Sequence, residues 1–122
     1  MLRHKENLDS GLVIIDFGIA GTLQNLHERH SEGTLRYSPP ELLSGSCYKA
    51  DQGFDVWSLG VLLYKLVFGK FPFEGETFNE IKENVINKPL SLPIDHEDIS
   101  DTCLTLISLM LTKDRGRRPK LY

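Results

Sequence analysis

The stretch Asp55-Val56-Trp57-Ser58-Leu59-Gly60-Val61-Leu62-Leu63-Tyr64-Lys65-Leu66-Val67-Phe68 decides the fold. Its apolar residues Val56, Trp57, Leu59, Val61, Leu62, Leu63, Leu66, Val67 and Phe68 fall on every face of a helix, which is the pattern of a core helix. Asp55 is a candidate N-cap, worth about 1 kcal/mol in that role. Gly69 stops the helix and Pro72 enforces the break. Everything else in the chain is expected to pack around this element.

Downstream, Thr77-Phe78-Asn79-Glu80 reads as a capping box. It opens an amphipathic helix with Phe78, Ile81 and Val85 on one face. Pro89, Pro93 and the charged Asp95 to Asp98 make a connecting loop. A last helix is expected from about Ser100 to Leu111, with Ile99, Cys103, Leu106, Ile107 and Met110 as its buried stripe. Upstream, Ser38-Pro39-Pro40-Glu41 starts a short helix, with Ser38 as N-cap, Pro39 at the first helical position and Glu41 closing a capping box. Leu42 and Leu43 give it an apolar side, and Gly45-Ser46 ends it. Before it lies a long polar loop, Gly21 to Tyr37, of the kind that is usually functional. Leu12-Val13-Ile14-Ile15, after the turn Asp9-Ser10-Gly11, reads as a short buried strand. The expected fold is therefore mainly α, with a short β strand or hairpin at the N-terminal end.

The bulk composition narrows the function. With 122 residues, 40% hydrophobic and 25% charged, the chain is one ordinary globular domain or a piece of one. A net charge of -3 gives no global field for nucleic acid or anionic membrane. No apolar run is long enough to span a bilayer. The basic cluster Lys113, Arg115, Arg117, Arg118 and Lys120 reads as a solvated helix terminus. Cys47 and Cys103 fit no metal spacing and are expected to be free thiols in a reducing compartment. His27 and His30, three apart, read as a solvated loop rather than a metal site. The expected location is the cytoplasm, with the nucleus also open.

Asp16-Phe17-Gly18 follows the strand directly. A carboxylate at a strand end, followed by a glycine that lets the chain turn sharply, is suited to holding a divalent metal against phosphates. A plain strand-ending turn fits the same tripeptide. The order, however, continues through Gly33-Thr34, Pro39-Pro40-Glu41, Asp55-Val56-Trp57-Ser58-Leu59-Gly60 and Arg118-Pro119. That succession resembles the C-terminal lobe of a serine/threonine protein kinase domain, from the activation segment onward. Gly69-Lys70-Phe71-Pro72-Phe73 and the helix after it resemble the calcium/calmodulin-dependent kinases or their relatives.

The resemblance implies a role for each matching residue. Asp16 would bind the magnesium that bridges the ATP phosphates, Phe17 would register the active or inactive state, and Gly18 would hinge that switch. Gly33 and Thr34 would line the loop that receives the substrate peptide, with Ser31 as a phosphorylation site, since His30 stands at the more usual position. Glu41 would pair with Arg118, and Asp55 would accept backbone N–H groups of the catalytic loop. Leu62 and Leu66 would support the apolar stack beneath the adenine ring, although plain core suits them equally. Pro39 stands where the family usually has a small residue.

Phosphoryl transfer also needs a glycine-rich loop, a strand lysine, its glutamate partner, a catalytic aspartate and a metal-binding asparagine. In the family these precede Asp16, and fifteen residues do so here. Asn7 resembles the metal asparagine, but the slot for the catalytic aspartate holds Leu2. Residues 1–11 are thus read as a catalytic-loop remnant, 12–41 as strand and activation segment, and 42–119 as a helical subdomain, all within one partial kinase domain. ATP and magnesium are expected to serve a full-length parent, with neither binding tightly to this chain, which is expected to be inactive alone. A protein substrate is the expected partner of the parent. The alternative is a truncated binding or regulatory module, in which a kinase N-lobe or another protein covers helix 56–68.

Overall fold

A computed structural model describes residues 35–46, 51–93 and 98–121. The expected strand at residues 12–15 lies outside them. Among the described residues four α-helices follow one another: α1 (Pro40–Leu43), α2 (Gln52–Phe68), α3 (Phe78–Asn87) and α4 (Asp101–Met110). Short 3-10 turns, Leu35–Tyr37 and Arg115–Arg117, lie before α1 and after α4. The described part of the fold is thus mainly helical.

The central helix is α2, 17 residues long. It starts a turn earlier than the apolar pattern suggests, because Asp51, not Asp55, is its N-cap. The Asp51 carboxylate accepts from the Gly53 N–H at 2.8 Å. Phe54, inside that extra turn, is buried with Val56, Trp57, Val61 and Tyr64. At the other end Gly69 adopts a left-handed conformation, φ 72°, and returns its N–H to the Lys65 carbonyl. Gly60 sets the approach of α4. A Cβ placed there would lie 2.8 Å from the Met110 Cβ and 3.1 Å from the Leu111 side chain. The missing side chain therefore lets the two helices touch along Ile107, Met110 and Leu111, all buried.

The short helix α1 is shifted by one residue from its expected start. Its N-cap is Pro39, in extended backbone (ψ 158°), and Pro40 takes the first helical position. A residue that precedes proline is driven out of the helical region, so Pro40 holds Pro39 extended. No side-chain capping bond forms there. The capping box expected of Ser38 and Glu41 is replaced, because Arg118 engages both Glu41 carboxylate oxygens.

Helix α3 keeps the Thr77 cap, whose Oγ1 accepts from the Glu80 N–H at 3.2 Å. Glu80 reaches back to the Glu76 N–H, one residue before the cap itself. Ile81 and Val85 are buried, but Phe78 is 62% exposed rather than sharing their face. In a ten-residue helix its first position overhangs the core edge. In α4, capped by Ser100, Ile107 and Met110 are buried, but Leu106 is exposed. Trp57, Val61, Tyr64, Phe73, Ile81, Val85, Ile107 and Leu111 form one core. Tyr64 and Phe73 belong to it although the apolar pattern of the helices did not single them out.

Candidate functional site

Arg118 makes five side-chain hydrogen bonds to described residues. Its side chain is 1% exposed and that of Glu41 is 10% exposed. Nη1 and Nη2 each donate to one Glu41 oxygen at 2.7 Å, a planar bidentate pair. Nε donates to the Thr112 carbonyl, Nη1 also to the Gly53 carbonyl and Nη2 to the Lys113 carbonyl. All five guanidinium N–H groups are therefore satisfied. The guanidinium carbon also lies 4.9 Å from the Trp57 ring centre. One side chain thereby ties α1, the start of α2 and the C-terminal segment together. Next to it Arg115 donates from Nε to the Asp51 cap at 2.7 Å, in a pair that stays about one-third exposed.

Lys113 stands beside this pair. Its ammonium lies 3.8 Å from the Phe73 ring centre and donates to the Val85 carbonyl near the end of α3. Burial, and then the Arg118 charge, pull its pKa down from 10.5 to about 8. A lysine whose folded pKa is below its unfolded value penalises the folded state while it is charged. Stability should therefore rise with pH from about 8 toward 10.5, where only the unfolded chain still holds the proton. Lys113→Met should flatten that rise in urea titrations at successive pH values. An unchanged slope would mean that Lys113 keeps an ordinary pKa.

Of the residues singled out in the sequence, Asn7, Asp16, Phe17, Gly18, Ser31, Gly33 and Thr34 lie outside the described residues. Glu41 and Arg118 meet as above. Asp55 is exposed in the first turn of α2. Although the residue as a whole is exposed, partial desolvation of its carboxylate, and then the Asp51 charge, raise its pKa. Leu62 and Leu66 are 42% and 74% exposed, and Leu59 is 50% exposed. Their spacing sets them on one stripe of α2, with Asp55 at its N-terminal end. The first described turn after Thr34 is anchored to α2 by Ser58, which donates to the Tyr37 carbonyl at 2.9 Å. There Tyr37 packs edge-on against Phe71, and Arg36 and Lys65 both lie over the Phe71 ring, 5.0 and 4.2 Å from its centre. Among the described residues no three His, Cys, Asp or Glu side chains gather as a metal site. No described helix is long and apolar enough to cross a membrane.

Asp51 is not singled out by the sequence, and Lys113 and Arg118, read there as part of a solvated basic cluster, are half-buried and buried. Asp51 had a signal, since an aspartate two residues before a glycine and ahead of an apolar run is a good cap. Lys113 had none, because its partners are backbone carbonyls 28 and 29 residues away.

The family model described as "protein kinase domain" matches residues 1–121. The chain is 41% identical over 112 residues to the cell cycle serine/threonine-protein kinase CDC5/MSD2 of Saccharomyces cerevisiae, covering 90% of this chain and 16% of that protein. It is 40% identical over 86 residues to flippase kinase 1 of the same yeast, covering 70% and 9%. It is 36% identical over 110 residues to calcium-dependent protein kinase 6 of Plasmodium berghei, covering 88% and 7%. The chain spans less than a fifth of the length of each of these three relatives.

Proposed function

The chain belongs to the protein kinase domain family, and from that premise we propose that it is the C-terminal part of a serine/threonine kinase whose full-length parent phosphorylates protein hydroxyls with ATP. The observation that carries this reading is the family match over residues 1–121, together with the serine/threonine kinases among the similar proteins. In this reading residues 1–11 are a catalytic-loop remnant, 12–41 the strand and activation segment, and 42–119 the helical subdomain. Asp16, with Asn7 as a weaker second ligand, would hold magnesium, which would supply positive charge against the phosphates. Phe17 and Gly18 set the state of that segment, Gly33 and Thr34 receive the substrate peptide, and Ser31 is a phosphorylation site. Glu41, Arg118 and Asp55 hold the platform beneath. A cytoplasmic or nuclear location follows from this reading alone.

The 122-residue sequence carries no glycine-rich loop motif, and Leu2 stands in the slot of the catalytic aspartate. We therefore expect the purified 122-residue chain to transfer no phosphate to a generic protein substrate. The longest product encoded in frame should do so, and Asp16→Ala in it should lower the rate by about 10²-fold or more. Transfer by the short chain alone would sink its assignment as inactive. A longest product silent on every generic substrate would sink the kinase reading itself.

The bare stripe Leu59, Leu62 and Leu66 supports a second reading, a non-catalytic module that binds a protein partner. Burying what these three leave exposed is worth about 3–5 kcal/mol. A separately expressed kinase front lobe is the partner to try first. Replacing all three leucines by Gln should abolish its capture while lowering the unfolding free energy by about 1.5 kcal/mol or less, about 0.5 for each surface change. Retained capture would remove this reading.

A further inference from the structure

We draw no further inference here: the strongest candidate, the half-buried ammonium of Lys113 set between the Phe73 ring and the carbonyls near the end of α3, carries nothing beyond its place in the core because any role for its titration would rest on a shifted pKa alone.

Discussion

Arg118→Ala is expected to cost about 3–5 kcal/mol of folding stability, the range seen when one partner of a buried ion pair is removed. The pair itself adds little over an apolar replacement, because both charges lose their water. The damage lies in what the substitution strands. Glu41, 10% exposed, would lose both of its 2.7 Å donors. The carbonyls of Thr112, Gly53 and Lys113 would each lose a donor as well. Arg118→Lys should be nearly as harmful, since a single ammonium cannot span two carboxylate oxygens and three carbonyls. Arg115→Ala is the internal control. Its pair with Asp51 is about one-third exposed, so its loss should cost about 0–1 kcal/mol. Urea midpoints of the three variants measure the ranking. Equal losses for Arg118→Ala and Arg115→Ala would show that burial does not set the value of the pair.

How much of this was legible in the sequence depends on the range of the forces involved. The helix order was readable because caps and apolar spacing act within a few residues. Thr77, Ser100 and Gly69 each close a turn with atoms at most four residues away. The start of α1 obeys a local rule, since Pro40 holds Pro39 extended, but what Glu41 and Asp51 do there is decided by distant partners. Glu41 looked like half of a capping box, but its carboxylate is engaged by a guanidinium 77 residues away. Asp55 looked like a cap, but Asp51 holds that place and is itself tied to Arg115 across 64 residues. Local rules cannot weigh a partner that distant. The all-round apolarity of α2 likewise showed that it needs cover, yet it could not show which side lacks it. Among the described residues that side is the one carrying Leu59, Leu62 and Leu66. The candidate site divides in the same way. Its family was legible from an ordered set of short motifs, but the setting of Lys113 was not, because it touches a ring and carbonyls contributed by distant segments.

Trp57→Ala should cost as much as losing Arg118, about 3–5 kcal/mol, as for other buried aromatic truncations. Trp57 is fully buried, stacks on Phe73 at an interplanar angle of 6°, and carries the Arg118 guanidinium over its ring. Among the described residues its indole N–H has no hydrogen-bond partner. That orphan donor separates two explanations of the cost. If the ring surface and its stacking matter, Trp57→Phe should lose far less than Trp57→Ala, because no hydrogen bond disappears with the indole nitrogen. If Trp57→Phe is as harmful as Trp57→Ala, a bond from that nitrogen must exist in solution. The two large predictions are also not independent. Arg118 and Trp57 touch, and residues in contact typically couple by about 0.5–3 kcal/mol. Removing the ring frees space beside the guanidinium, so Arg118→Ala made in a Trp57→Ala background should cost less than it does alone. A double-mutant cycle on urea midpoints reads that difference. Strict additivity would mean that the ring and the ion pair stabilise the platform separately, and that the stacking between them contributes nothing.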